Sequence, residues 1–361
     1  MKKIKINHLD LFSGIGGFHL GFEKAGFEVN SYFSEVDKYA IDVYKNNFKN
    51  SNYVGSVTDV RGTQLPKIDA ITFGSPCQDF SLAGKRKGMG GDRSSLITEA
   101  IRLIDECRPR FFIWENVKGT FSSNNGEDFW AIIQAFTNIG GYRLEWQLLN
   151  TKWFLPQNRE RIYLVGYLGN GSGGQVFPIR ETTRPNIKSS KKKHNKIVMP
   201  TICTNYWRFA NDTPVIKVKS ATSKGYEEAA EGDSINYSNP NSETRRGRVG
   251  KGVAQTLDTA CNQAVIYDGY NNKVKEENIV GTITQHCSRS GLTNGFKVIN
   301  ENKIRRLTPI ECERLQGFPD NWTQYGESGK ISDTQRYKMC GNAVTVDVVE
   351  AVANSIIKTI Y

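Results

Sequence analysis

The first half of the chain alternates short apolar runs with amphipathic stretches. Ile6 to Phe12 predicts a strand, because the run is apolar and ends at the turn residues Ser13 and Gly14. The stretch after it has the apolar spacing of a helix and stops at Gly26. The same alternation predicts strands over 30–36, 68–74, 111–114 and 162–165, and helices over 37–48 and 94–107. Repeated units of this kind imply an α/β fold with a mostly parallel sheet and helices on both faces.

The pattern changes at about residue 170, where glycine, serine and asparagine become frequent. This composition indicates a second domain or a set of long loops. A threonine-rich pattern recurs within it at 200–204, 255–259 and 281–284, and a true repeat and ordinary strand composition explain it equally well. Helical character returns past Arg305, and the spacing over 344–357 predicts a helix that packs on the first domain. The chain is therefore expected to leave the first sheet and return to it.

Charge points to a polyanionic partner. The formal net charge is +11, from 48 basic and 37 acidic residues. Residues 180–251, a fifth of the chain, hold 15 lysines and arginines against 7 acidic residues. A solvated basic surface is the plain explanation, but such concentration favours a module that faces nucleic acid.

Cysteine usage and hydropathy bear on the compartment. The seven cysteines are scattered without a paired motif, which favours a reducing compartment and argues against structural zinc. Met1 to Asn7 lacks the apolar stretch of a signal peptide, and no apolar run approaches the roughly 20 residues that span a bilayer. We expect a cytoplasmic protein that does not enter a membrane.

A glycine-rich turn joins the first predicted strand to the first predicted helix. It contains Phe12, Gly14, Gly16 and Gly17, and glycines here let the backbone approach a ligand closely. A tight turn without a ligand would look the same. Glu35 ends the second predicted strand about 20 residues on, where a carboxylate can accept both hydroxyls of a ribose. Together these features suggest a cofactor that contains a nucleoside.

Reactive side chains follow the ends of later strands. Cys77 comes just after the strand over 68–74, at the edge where open α/β sheets bind ligands. An inert buried cysteine is the common alternative, although the neighbouring Pro76 and Gln78 favour an exposed loop. Glu115 follows the strand that begins at Phe111 and should share this edge. Arg159 and Arg161 precede the strand over 162–165. Because they are two residues apart, their side chains can point to the same side of an extended segment.

In this order the motifs closely resemble the cytosine-5 DNA methyltransferase family. They are Phe-Ser-Gly-x-Gly-Gly from Phe12, Pro-Cys-Gln around Cys77, Glu-Asn-Val from Glu115, Gln-x-Arg-x-Arg from Gln157 and Gly-Asn-Ala-Val from Gly341. The stretch 306–319 also matches the family, and the resemblance covers 8–168 and 304–356. It implies a Rossmann-like fold of the kind that binds S-adenosylmethionine, with an inserted target-recognition domain.

The resemblance implies four catalytic residues. Cys77 is expected to attack carbon 6 of the target cytosine, which makes carbon 5 nucleophilic. Glu115 is expected to meet N3 and the exocyclic amine of the base. Arg159 and Arg161 resemble the pair that contacts the base and the edge of the active site, and at least one should lower the pKa of the Cys77 thiol.

The resemblance also implies the cofactor, S-adenosylmethionine, and the residues that bind it. Leu96 is assigned to the adenine pocket, and Asn342 and Val344 to the methionine end. Two departures concern adenine: Val36 stands where many members have tryptophan, and Ser56 stands where many have an acid. The hydrogen bond to the adenine amine therefore comes from Ser56, from Asp59 or is not made. The full cofactor set is Phe12, Gly14, Gly16, Gly17, Glu35, Val36, Ser56, Val57, Pro76, Leu96, Asn342 and Val344.

The predicted organisation follows from the same resemblance. Residues 1–171 form the catalytic and cofactor-binding domain, 172–303 the target-recognition domain, 304–334 a hinge and return segment, and 335–361 a helix that packs back on the catalytic domain. The loop 80–93 resembles the mobile segment that closes over a flipped base. We expect a monomer in a bacterial or phage-infected cell that methylates duplex DNA, with a separate cognate restriction endonuclease as a possible companion.

Two other functions remain open at this point. One branch of the same family methylates transfer RNA with the same motifs. A DNA-binding regulator could keep the fold without catalysis, although the intact set of Cys77, Glu115 and the arginines speaks against it.

Overall fold

A seven-stranded, mostly parallel sheet forms the centre of the protein in a computed structural model. The structure describes residues 3–74, 95–168, 174–181, 216–230, 232–236, 248–268 and 302–361. The strands of the first half are β1 Ile4–Leu11, β2 Phe27–Ser34, β3 Asn52–Tyr53, β4 Ala70–Gly74, β5 Phe111–Val117, β6 Tyr142–Asn150, β7 Gln157–Asn158 and β8 Glu160–Leu168.

The strand order of the central sheet is β3-β2-β1-β4-β5-β8-β6. Neighbouring strands run parallel except at β8, which is antiparallel to both β5 and β6. The predicted α/β fold with a mostly parallel sheet is confirmed. Sequence pattern did not indicate β6, because it lies at the sheet edge and only its last two residues are buried. The helix that precedes it was also not predicted.

Seven α-helices accompany these strands among the described residues. Those on one face of the sheet contribute to a core that contains Trp114 and Phe112, and those on the other face pack against Phe111 and Ile113. This alternation follows from the period of two in a strand. The helices are α1 Gly17–Ala25, α2 Lys38–Asn47, α3 Ser95–Cys107, α4 Glu127–Asn138, α5 Pro309–Leu315, α6 Asp333–Asn342 and α7 Val346–Ile360.

The chain after residue 170 contributes short strands, one of which pairs with a strand of the first half. Four of them form an antiparallel sheet in the order β12-β11-β14-β15, and β13 pairs in parallel with β7. Strand β15 spans the predicted domain boundary at 303/304. The strands are β9 Ile216–Lys219, β10 Tyr226–Ala229, β11 Ser234–Asn236, β12 Val249–Gly250, β13 Ala254–Gln255, β14 Gln263–Asp268 and β15 Asn302–Arg306.

The chain then returns to the central sheet through α5, α6 and α7. Helix α5 begins with a capping box, in which Thr308 and Glu311 satisfy each other's backbone N–H groups. A small hairpin of β16 Tyr325–Gly326 and β17 Gly329–Lys330 precedes α6. Helix α7 packs on α1 so closely that a Cβ on Gly21 would lie 2.5 Å from Cγ1 of Val349. Within the described ranges, no helix has the length and apolar character needed to cross a membrane.

Candidate active site

The carboxyl ends of β4 and β5 place Glu115 beside the start of the loop that carries Cys77. Glu115 pairs directly with Gly74, the last residue of β4. A Cβ on Gly74 would lie 3.2 Å from Oε2 of Glu115, so glycine makes room for this carboxylate. Cys77 and Pro76 lie in 75–94, outside the described residues, as does the expected mobile loop over 80–93.

Glu115 is a buried carboxylate that faces a cation. It is 8% exposed, and its Oε1 lies 3.1 Å from Nε of Arg161. Among the described residues, that oxygen accepts no well-aligned hydrogen bond. Arg161 comes from the start of β8, which pairs antiparallel with β5. Two charged groups thus meet at one strand edge.

Arg159 is held differently from Arg161. Its guanidinium is buried and donates to the backbone of the return segment, from Nη2 to Ala343 O at 2.9 Å and from Nη1 to Gly341 O at 3.3 Å. These carbonyls flank Asn342, one of the residues assigned to the cofactor. Arg161 therefore reaches the Glu115 carboxylate, whereas Arg159 joins the start of β8 to the carboxy-terminal return.

The glycine-rich turn has the backbone conformation that its sequence predicts. Phe12 and Gly14 have φ values of 52° and 53°, and Gly16 has a φ of 83° just before α1 begins. Left-handed φ values are easily adopted by glycine and rarely by other residues. The turn therefore depends on its glycines and brings its backbone N–H groups to the amino end of α1.

Glu35 ties this turn to the end of β2. Its Oε2 accepts from Gly14 N at 2.8 Å, and its Oε1 accepts from Val36 N at 2.7 Å and from Asp37 N at 2.9 Å. A carboxylate has about four acceptor positions, so Glu35 can still accept a hydroxyl proton. About one acceptor position is therefore left for the two ribose hydroxyls expected at the end of the second strand.

Three residues of the predicted cofactor site belong to one apolar cluster, and two of those assigned to adenine lie outside it. Phe12 and Leu96 pack against the core cluster that contains buried Val57. Val36 is 76% exposed and is free to cover a flat ligand. Ser56 Oγ lies 3.0 Å from Thr58 Oγ1, and Thr58 in turn donates to Asp59. Phe12, Val57 and Leu96 therefore belong to one apolar cluster, and the hydrogen-bonded residues Ser56, Thr58 and Asp59 adjoin Val57 in sequence.

The return segment closes the other side of the turn. A Cβ on Gly17 would lie 2.6 Å from Cγ2 of Val344, so the two segments touch only because residue 17 is glycine. Trp322 Nε1 donates to Ile15 O at 3.0 Å from the same direction. Asn342 is exposed beside this contact. Trp322 was not predicted as part of the site, because its contact to Ile15 spans 307 residues of chain.

The family model described as C-5 cytosine-specific DNA methylase matches residues 6–358. Among curated proteins, the chain is similar to the Type II methyltransferase M1.ScrFI of Lactococcus lactis subsp. cremoris, with 31% identity over 99% of this chain and 80% of that protein. It is also similar to the Type II methyltransferase M.FnuDI of Fusobacterium nucleatum, with 32% identity over 98% of this chain and 94% of that protein.

Solved structures with the same architecture include two methyltransferases. The S. pombe Dnmt2 methyltransferase aligns with a TM-score of 0.58 and 18% identity, over 98% of each chain. The Entamoeba histolytica methyltransferase EhMeth aligns with a TM-score of 0.56 and 17% identity, over 99% of each chain. These likenesses concern the fold, and they confirm the predicted methyltransferase architecture.

Proposed function

Because the chain belongs to the C-5 cytosine-specific DNA methylase family, we propose that it methylates carbon 5 of a cytosine flipped out of duplex DNA, with Cys77 as the covalent nucleophile and S-adenosylmethionine as the methyl donor. The observation that supports this most is the buried Glu115 carboxylate opposite Gly74, three residues before Cys77. A carboxyl and a thiol at one strand edge are what attack on a cytosine ring requires.

Cys77 supplies the bond that activates the ring. Its thiolate adds to carbon 6, and the electron pair of the 5,6 double bond makes carbon 5 nucleophilic. Glu115 hydrogen-bonds or protonates N3 as negative charge develops there. After the methyl group is added, water removes the proton from carbon 5, the double bond re-forms and the Cys77 thiolate leaves. Arg161 orients Glu115 through the contact at 3.1 Å.

The residues around the glycine-rich turn fit S-adenosylmethionine. Glu35 has an acceptor position left for a ribose hydroxyl, and Phe12, Val57 and Leu96 provide an apolar wall for adenine. Asn342 and Val344 would bound the methionine end. When bound, the cofactor supplies a methyl group on a positively charged sulfur.

Flipping the base out of the duplex precedes this chemistry. The target atom is inaccessible inside a stacked duplex, so extrusion costs a few kcal/mol before reaction. The relatives are named Type II methyltransferases, and we infer that this chain methylates one short DNA sequence and acts as a monomer. Bisulfite sequencing of DNA from cells that express the protein would give the methylated base and its sequence together.

A fluorinated substrate tests the covalent step. Duplex DNA with 5-fluorocytosine at the target position should form an adduct that survives denaturation and requires S-adenosylmethionine. Fluorine cannot leave as a cation, so elimination from Cys77 stops after methyl transfer. The Cys77→Ala protein should form no adduct and should still bind DNA within about tenfold of wild type.

Two outcomes would contradict the proposal. Turnover by Cys77→Ala above background would remove Cys77 from the nucleophilic role. Preferential methylation of transfer RNA, when it competes with duplex DNA, would assign the chain to RNA modification instead.

A further inference from the structure

The carboxyl end of α6 is held by the side chain of the residue that follows α5. The last carbonyls of a helix have no partner within it. Here Gln316, the residue just after α5, donates from Nε2 to Cys340 O at 2.7 Å and to Ala343 O at 3.3 Å. Its backbone oxygen accepts from Val346 N at 2.9 Å, at the start of α7. A single residue therefore secures the turn between α6 and α7 on both sides.

Two buried hydroxyls extend this contact to the catalytic half. Thr345 Oγ1 donates to Gln316 Oε1 at 2.9 Å and also lies 2.9 Å from Thr151 Oγ1. Because a hydroxyl carries one proton, Thr345 must accept from Thr151. The three side chains are 0–2% exposed, so water does not compete for these bonds.

This network leaves two cofactor residues free on the opposite side of the turn. Gln316 holds the carbonyls of Cys340 and Ala343, and Arg159 also holds Ala343. Asn342 between them is exposed, and Val344 packs against Gly17 of the glycine-rich turn. The backbone of 341–345 is therefore held by Gln316 and Arg159, while Val344 contacts the glycine-rich turn and Asn342 is exposed.

We propose that Gln316, Thr345 and Thr151 are positioning residues for S-adenosylmethionine. They touch neither cofactor nor base, and they act by holding Asn342 and Val344 against the glycine-rich turn. The proposal rests on the cofactor assignment made under the proposed function. It explains why a glutamine is fully buried between two helices, where an apolar side chain would otherwise fill the space.

A matched pair at position 345 tests this network. Thr345→Val keeps the shape and removes the hydroxyl, whereas Thr345→Ser keeps the hydroxyl. We expect Thr345→Val to raise the dissociation constant of S-adenosylhomocysteine, measured by calorimetry, by about tenfold, because a buried acceptor and donor lose their partner. Thr345→Ser should stay within about threefold of wild type.

Steady-state kinetics distinguish positioning from a general loss of structure. The KM for S-adenosylmethionine should rise in Thr345→Val and in Gln316→Met, while kcat at saturating cofactor and the affinity for duplex DNA change by less than about threefold. Either variant suffices if the other fails to fold. An unchanged dissociation constant in a folded Thr345→Val protein, or an equal loss in Thr345→Ser, overturns the proposal. If wild type itself binds no S-adenosylhomocysteine, the proposed function fails instead.

Discussion

Arg161 Nε lies 3.1 Å from Glu115 Oε1 across the antiparallel pair β5 and β8, at the strand edge that leads to Cys77. Both side chains are largely buried. Removing one partner of a buried ion pair leaves the other charge uncompensated, which is more costly than losing a surface pair. The pair thus links the stability of the strand edge to its chemistry.

Glu115→Gln should slow the chemical step by roughly 10² or more while cofactor binding is kept, because a positioned general acid usually contributes that much. Rapid-quench single-turnover methylation measures this step. Arg161→Met should also lower the rate of the chemical step, and in addition it should lower the free energy of unfolding.

Lys118→Met is the matched control for the stability effect. Lys118 and Glu160 form an ion pair at 2.9 Å with 57% and 40% exposure, so its loss should cost no more than about 1 kcal/mol in urea unfolding. A near-normal single-turnover rate in Glu115→Gln would remove Glu115 from the proposed role.

Gly341→Ala should weaken the junction between the inserted region and the return segment. Alanine normally stabilises a helix relative to glycine by about 1 kcal/mol. Here its Cβ would lie 2.7 Å from the backbone carbonyl of Asp258, so the two segments must separate. We expect a net loss of about 1–3 kcal/mol in the free energy of unfolding in urea.

Gly119→Ala provides the comparison, because the nearest atom to its new Cβ would be 3.9 Å away, on Val117. The free energy of unfolding of that variant should be close to that of wild type. Equal stability of the two alanine variants would mean that the contact between Gly341 and Asp258 adjusts without cost.

Arginine substitutions in the inserted region should distinguish residues that bind DNA from residues that stabilise the fold. Arg245 and Arg246 lie outside the described residues, and their joint replacement by alanine should flatten the dependence of DNA affinity on salt by about 0.9 logarithmic units for each phosphate that is no longer neutralised. Arg248 belongs to the same basic run but is 6% exposed. Its replacement by alanine should lower thermal stability and leave the salt slope unchanged. Filter binding across a salt series measures this slope. If these arginines only face solvent, the slope of the double variant will equal that of wild type.

Asp10 should make stability depend on pH. It is fully buried beneath the glycine-rich turn, and burial raises the pKa of its carboxyl well above the usual range, although hydrogen bonds from Thr72 and Tyr44 oppose this. A group whose pKa is raised by folding stabilises the protein below its unfolded pKa, and that contribution is lost as pH rises through the folded value. Asp10→Asn carries no charge and keeps an acceptor oxygen.

The difference in unfolding free energy between Asp10→Asn and wild type should therefore move in favour of the variant as pH rises from about 5 to about 9. Urea unfolding at three pH values measures it. A difference that does not change with pH would mean that Asp10 keeps one protonation state over that range.

Local pattern was enough to identify several strands and helices of the first half and the turn before α1. The apolar run from Phe111 to Trp114 and the glycines at 14, 16 and 17 are properties of neighbouring residues, so the sequence by itself indicated a strand that leads into Glu115 and a tight turn before α1. The strand continues past Glu115 to Val117, which local pattern did not indicate. The parallel sheet followed from the alternation of these elements. The ordered motifs then determined the family.

Contacts between distant parts of the chain were decided only by tertiary structure. Two arginines two residues apart looked equivalent in sequence, yet Arg161 meets Glu115 whereas Arg159 donates to carbonyls more than 180 residues away. Gln316 and Thr345 carry no local signal, because a glutamine or threonine becomes a positioning group only when packing removes water and supplies a partner. Burial of Arg248 within a basic run has the same origin: charge is a property of the residue itself, whereas exposure depends on how the chain packs.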